Sequence, residues 1–537
     1  MASDVLRINA SPMLARRRRS TIPRAALAAT IAHLLGLVAC AQSSWVHFGA
    51  KGQLVYRTTS RGDRIPDFSS AGYRGGGVAL PFVRARVKVS PTGGPDDTPA
   101  IQAALDKVAR LAPTAHGERG AVELAPGHFH LVGTLVIHAS GVILRGAAAI
   151  GPNASVLEMT GAPHLAISIQ GAFHLRTLGP ATWLADRYVP ADATTIHVAD
   201  ASAIQAGDWL EIVKPVTPAW VHFMDMDRLV RNGKPETWVK NNIRVLRRVA
   251  SVSGNAMRLK VPLTDSFDAR FYSARQASVT RVEVTGRIAG VGVENLEIRA
   301  PDRSIAYRVD GEFDGIEMDN VVDSWLRYVA LVDTTDSVRI DQHAERLTIF
   351  GVNVQQHSIV TSHAQPFDFR VSGSQILLDR CTGQGDRVTY VGTQSRSEGP
   401  VVVLHCRFSG GGRIEGHQRW STALLIDGCE VPDGDLDLRN RGEMGTGHGW
   451  TLGSSVVWNN KASTITVQNP PGVLNWSIGD MGNQEDAPMP VFDTPEGPPL
   501  PRGVIESSGH PVEPASLYLE QLRDRLGPQA VAAIGYR

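Results

Sequence analysis

Two short segments carry a high density of side chains able to move protons or hold charge: GGRIEGHQRW at 411–420 and GDLDLRNRG at 434–442. Laid side by side, Arg413 falls against Asp435, Glu415 against Asp437, His417 against Arg439 and Arg419 against Arg441, with Ile414, Leu436 and Leu438 at alternate positions. Such period-two alternation describes a strand with one apolar face inward and one polar face outward. Histidine titrates near neutrality and can take a proton, arginine stays charged and can neutralise an anion, and paired carboxylates can act as acid and base. His448, in the loop GTGHGW, is a further proton carrier. Trp420, Trp450, Trp458 and Trp476 bring aromatic faces to the same stretch, although Trp458 sits inside an apolar strand and reads as core. Candidate catalytic residues are therefore His417, Arg419, Arg441 and His448. Candidate substrate-binding residues are Arg439, Arg413, Trp420, Trp450, Glu415 and Asp437. Read purely as structure, the same strip is a ladder of surface ion pairs, such as Arg413 with Asp435, that contributes little stability.

The elements that must position this strip are a repeated phrase, a short β-prone run closed by a small or polar residue. It reads SWLRYVALVD from 324, RLTIFGVNVQ from 346, QILLDRCTG from 375, VVVLHCRFSG from 401, TALLIDGCEV from 422 and TLGSSVVWNN from 451. Cys381, Cys406 and Cys429 fall late in consecutive phrases at near-equal steps. Repeats of this length, made of strands with Gly and polar turns, predict an all-β parallel solenoid with one cysteine per rung. A shift of 22 residues, close to the 23 between Cys406 and Cys429, sets 411–420 against 434–442. Spacing by coil length rather than by a ligand rule makes these thiols a reduced, inward-facing ladder, with no metal site expected.

The chain has 537 residues, and a solenoid can occupy most of that length as one body because it grows by adding coils. Its 54 basic and 53 acidic residues nearly cancel, so no global field points to nucleic acid or a membrane surface. The 53 Gly and 32 Pro penalise helix and favour a turn-rich fold. Residues 1–41 read as a signal peptide, with basic Arg16–Arg19 before an apolar stretch too short to span a bilayer comfortably. Leu37-Val38-Ala39-Cys40-Ala41 fits two cleavages: it resembles a bacterial lipobox, with Cys40 lipidated, and it also satisfies the small-residue rule of ordinary signal peptidase. The expectation is an exported chain, in the periplasm, at the outer membrane as a lipoprotein, or outside the cell, touching membrane only through Cys40.

Residues 42–80 form a Gly-rich extension. A helix is predicted from Asp97 or Thr98, with Pro99 in its first turn and Ile101, Leu105 and Val108 on one face. The order GPDDTPAIQAALDKV, then GAVELAPGHFHLVGTLVIHASGVILRGA, resembles the opening of pectate-lyase-superfamily right-handed β-helix proteins, in which a helix caps the apolar end of the solenoid. The expected fold is therefore a right-handed parallel β-helix, starting at 81–179 with its capping helix and resuming over 286–480. Residues 180–285 break the rhythm and read as a β-rich insertion, whose Trp220, Phe223, Met224, Met226 and Trp238 suit a small core better than a sugar-stacking surface. Residues 481–537 read as a Pro-rich strap and a helix with Leu517, Leu519, Leu522 and Leu526 near one face, suited to cap the far end.

The resemblance implies a carbohydrate polymer as partner, its best-known members being lyases on uronic-acid polymers. In that chemistry Arg419, Arg439 and Arg441 neutralise the substrate carboxylate, His417 is the base, and His448 or an arginine assists the leaving oxygen. One alternative is a glycoside hydrolase of polygalacturonase type using Glu415 with Asp437 or Glu443. Against it, that family's Asp motifs are missing from matching coils, Asp333-Thr334-Thr335-Asp336 being only superficially similar. Another alternative is a non-catalytic glycan-binding surface solenoid. The acidic run Asp310–Asp323 offers oxygen donors for calcium but lacks the ligand spacing of a calcium loop, and reads as a solvated turn and strand. His357 and His363 are second-rank candidates that suit structural turns.

Overall fold

From the coil that carries Asn295 onward, one left-handed residue bends each coil at the same corner. Asn295, Tyr328, Gly351, Arg380, His405, Gly428, Asn459 and Gly479 all have φ between 46° and 75° in the computed structural model and occupy equivalent places in the register of paired strands. The structure describes residues 41–537 apart from 232, 274, 492–496 and 498. The expected export signal with Cys40 lies outside the described residues.

Among the described residues twenty-nine strands join one parallel system in which each coil pairs with the next, giving a right-handed parallel β-helix. Register is strict: Leu326, Ile349, Leu378, Val403, Ile426 and Val457 follow one another as direct partners and are all buried. Removing one such side chain down to alanine would cost about 2–5 kcal/mol. The three cysteines form the expected reduced, buried ladder. Cys406 Sγ accepts from Cys381 N at 3.3 Å and Cys429 Sγ from Cys406 N at 3.4 Å; Asn460 then takes over by accepting from Cys429 N at 2.8 Å.

The helix Thr98–Ala109 buries Ile101, Ala104, Leu105 and Val108 against the first coil and closes that end. After Leu165–Gln170 the chain leaves the solenoid. Antiparallel pairing begins with His174 against Thr285, and a seven-stranded sheet follows before coils resume at Ile288–Ala289. The C-terminal helix Leu517–Leu526 does not cap the far end. It lies along the flank, where Leu517, Tyr518 and Leu522 cover the outward column Leu377, Val402, Leu425 and Val456 together with Trp45, Ile65 and Phe68 of the N-terminal extension. Strands apolar on both faces need such cover. The strap also adds a rung, Val504–Glu506 pairing with Trp476–Ile478. Among the described residues no helix is long and apolar enough to cross a membrane.

One buried polar group conflicts with this core. Asp368, on the strand Phe367–Val371, is fully buried with no ion-pair partner among the described residues, and burial, only weakly opposed by Gln356, pushes its carboxyl well above the usual range. An acid raised in the folded state destabilises the fold as pH climbs above its unfolded value near 3.9, by up to about 1.4 kcal/mol per pH unit until the folded group ionises. Asp368→Asn has no such proton to lose, so its stability relative to the wild type should rise with pH above about 4. Urea unfolding at several pH values reads this directly, and parallel curves for the two proteins would refute it.

Candidate functional site

The strand Arg413–Gly416 pairs with the rung after it, Arg413 beside Asp435, Ile414 beside Leu436 and Glu415 beside Asp437. Ile414 and Leu436 enter the core, so Arg413 and Glu415 point outward. Both line a cavity of about 1030 Å³, Glu415 buried in it and Arg413 partly exposed. One wall is the excursion 439–450, which lengthens the step from Gly428 to Asn459 to 31 residues, against 23 for the step before it. Tyr307 and Arg308, His363–Gln365 and Arg231 of the insertion also line the cavity.

Arg413, Glu415, His417, Arg441 and His448 all line this cavity. Glu415 is 1% exposed. Its Oε1 accepts from His417 Nδ1 at 2.6 Å and from Arg441 Nη1 at 2.7 Å. Burial alone would raise this carboxyl, but Arg441, the His417 hydrogen bond and Arg413 together hold it well below the usual carboxylate range. An ionised Glu415 fixes the histidine tautomer: Nδ1 carries the proton toward Oε1, and Nε2 keeps a free lone pair. Arg441 lies 2.9 Å from that Nδ1 and spends a bond on the His417 carbonyl, also at 2.9 Å.

Burial lowers the His417 imidazole from its ordinary value, with Glu415 opposing, so the ring is neutral at physiological pH. It retains 23% side-chain exposure on the cavity wall, enough to meet a ligand. The Phe367 ring meets it edge to face at 4.9 Å. Space for Phe367 comes from Gly392, where a Cβ would lie 2.5 Å from that ring. Burial, reinforced by Arg441 and His417, pushes His448 down to about 2, so it cannot serve as a protonated acid, and its buried Nδ1 has no hydrogen-bond partner.

Five of the residues expected at the site lie elsewhere. Trp420 and Trp450 are 1% and 2% exposed and belong to the core of the insertion, so they offer no face to a ligand. Trp238 donates to the carbonyls of His448 and Trp450, Trp450 donates to Met224 O, and Trp420 donates to Asp265. Arg419 turns away from the cavity to Thr446, the Gly447 carbonyl and Glu236. Strand alternation stops at Gly416, and both Arg419 and Trp420 are left-handed, at φ 49° and 60°, so a period-two extrapolation fails past His417. Arg439 and Asp437 pair with each other at 3.3 Å, Asp437 also facing Arg413 at 3.8 Å, and neither Arg439 nor Asp437 lines the cavity.

The structure adds residues that the sequence comparison passed over. Arg370 leads through Gly392 to Glu415 in one outward column, two coils earlier in register. Asp336 accepts from Tyr307 Oη at 2.9 Å and faces Arg308 and Arg370, both at 3.4 Å. Extending the column back from Glu415 would have found Arg370. Arg231, Arg308, Arg370, Arg413 and Arg441 therefore surround a cavity whose one lining carboxylate is already paired. The acidic run Asp310–Asp323 is a turn and the strand Asp314–Asp319, and no cluster of three metal-binding side chains occurs among the described residues.

Removing charge from Glu415 would strand Arg441 in a buried setting. Glu415→Gln should therefore cost about 3–5 kcal/mol in chemical denaturation, and should lower the His417 titration further, since Glu415 is what raises it. A cost below about 1 kcal/mol would mean that the pair is only a surface contact.

No protein-family model and no curated protein matches this chain, so the pectate-lyase-superfamily resemblance gains no family assignment. Among solved structures it is similar to the tailspike of Pseudomonas phage phi297, with TM-score 0.31 and 13% identity over 77% of this chain and 73% of that one. It is also similar to the tailspike of Acinetobacter baumannii bacteriophage AP22 in complex with a capsular saccharide, with TM-score 0.26 and 13% identity over 74% and 71%. A tailspike mutant of E. coli bacteriophage HK620 in complex with a pentasaccharide gives TM-score 0.41 and 9% identity over 75% of this chain and 58% of that one. At such TM-scores these likenesses carry no argument, and the β-helix stands on its strand pairing.

Proposed function

We propose that the chain is an exported polysaccharide lyase that cleaves a uronate-bearing glycan by β-elimination. The observation that carries this reading is His417, neutral, held by ionised Glu415 so that Nε2 faces an arginine-lined cavity. A lyase must neutralise the substrate carboxylate, remove the adjacent ring proton and protonate the leaving oxygen. Arg413, Arg370 and Arg441 supply the first requirement and His417 Nε2 the second. The electron pair left by the proton forms the ring double bond as the bond to the glycosidic oxygen breaks. The imidazolium so formed can return its proton to that oxygen.

The carboxylate-pair alternative fits the geometry less well. A hydrolase needs one carboxylic acid with a raised pKa, whereas Glu415 is held low and Asp437 is engaged by Arg413 and Arg439.

Digestion of uronate and neutral glycans, followed by ultraviolet absorbance for an unsaturated sugar and by reducing-end release, separates the readings. His417→Ala should lose about 10²–10⁴-fold in rate. Because the base acts when neutral and its pKa is lowered, kcat/KM should be flat above pH 6.5 and fall only below its ordinary value of about 6.5. Reducing ends without absorbance would indicate hydrolysis, and full activity in folded His417→Ala would refute the assignment.

A further inference from the structure

A second cavity, of about 470 Å³, opens between the antiparallel sheet of the insertion and the coil segments 342–345, 372–374 and 396–398. The charges on its walls do not cancel. Arg244 pairs with Glu211 at 2.9 Å and Arg287 with Glu345 at 2.7 Å, which accounts for four of them. Arg247 is 4% exposed and donates to the carbonyls of Pro262, Leu246 and Gly399, with no carboxylate within ion-pair distance among the described residues. Arg396 makes no ion pair among the described residues either. Facing them is Glu398, buried, bonded by Thr264 Oγ1 at 3.1 Å, its carboxyl raised to about 7 by burial and by Asp265. Two guanidinium groups thus face one carboxyl that is easily neutralised, a surplus that favours an anion. Phe173 and His343, stacked at 3.7 Å and within 2° of parallel, give the cavity a flat wall suited to a ring.

Its position ties it to the first cavity. Arg370 and Gln394 line the first, and Ser372 and Arg396 line the second. Two residues of extended chain span at most about 7 Å, so the cavities are neighbours on the same two coils. We infer that the second cavity is a subsite for a further carboxylate-bearing sugar of the same polymer, with Arg396 taking the carboxylate and Phe173 and His343 the ring. This rests on the acidic-polymer reading of the His417 cavity.

Calorimetric titration of the whole chain with a galacturonate trimer and decamer, and with monomeric glucuronate, tests it. Arg396→Gln and His343→Ala should each weaken decamer binding about tenfold and leave the trimer unchanged, both folding with wild-type Tm. The inference is overturned if the decamer binds both variants as it binds the wild type, or if the trimer weakens equally. A wild-type chain that takes glucuronate through Arg396 but no oligomer keeps the anion site while removing the acidic-polymer reading. One that binds neither probe overturns both.

Discussion

Burying the Glu415 carboxylate is the constraint around which the site is built. An ion taken out of water costs several kcal/mol unless partners replace its hydration, and here the partners come from two directions. His417 follows Glu415 almost immediately, so the local chain supplies it. Arg441 must be brought back from the next coil, and its return requires the excursion 439–450 to fold back toward Glu415. Arg441 N donates to Gly449 O, Gly442 N to Asn440 Oδ1 and Glu443 N to Pro490 O, so the strap clamps the same turn from outside. At Gly442, φ is 46° and a Cβ would lie 2.1 Å from Pro490 O, so no other residue fits there without moving the strap.

The insertion serves the same end. Trp220, Trp238 and Trp420 pack with ring centroids 5.2–5.8 Å apart, and the Trp238 indole holds two carbonyls of the excursion. Large aromatic groups buried with their N–H bonds satisfied fix position more tightly than aliphatic contacts. Residues far apart in sequence thereby set the height of His448 and Arg441 above the rung carrying Glu415. Parallel pairing sets the rest, since adjacent rungs lie about 4.8 Å apart and cannot slide without turning every side chain to the wrong face.

The solenoid was legible because its signals are local and repeated: period-two runs, the cysteine step and the capping helix before the first coil. A shift of 22 residues, one short of the 23 between Cys406 and Cys429, matches the register of Arg413 with Asp435 and Glu415 with Asp437. Legibility ended where the strand did. Arg419 and Trp420 look like continuations of an outward strip, but two left-handed residues redirect them into contacts with the insertion. Arg370 was hidden for a different reason: Gly392 interrupts its column with no side chain, and the excursion through 357–366 stretches the spacing before it. The role of the tryptophans depended on a partner surface near residue 238, which no local pattern around 420 or 450 encodes.

Under the proposed chemistry, recruiting the substrate and readying the base become one electrostatic arrangement. The arginines that would draw a carboxylate into the cavity also disfavour protonation of His417, Arg441 and Arg370 both acting in that direction. An unpaired neutral imidazole would be a weak base in such a field, because its conjugate acid would be repelled. Glu415 corrects this: it is already ionised and already bonded to Nδ1, so it stabilises the imidazolium at the moment it forms without reorganising. Substrate binding shifts the balance further, since a carboxylate against Arg413 or Arg370 cancels part of the field opposing the proton. The base is thus poorest when the cavity is empty and improves as its substrate arrives, a coupling that follows from charge placement alone and needs no moving part.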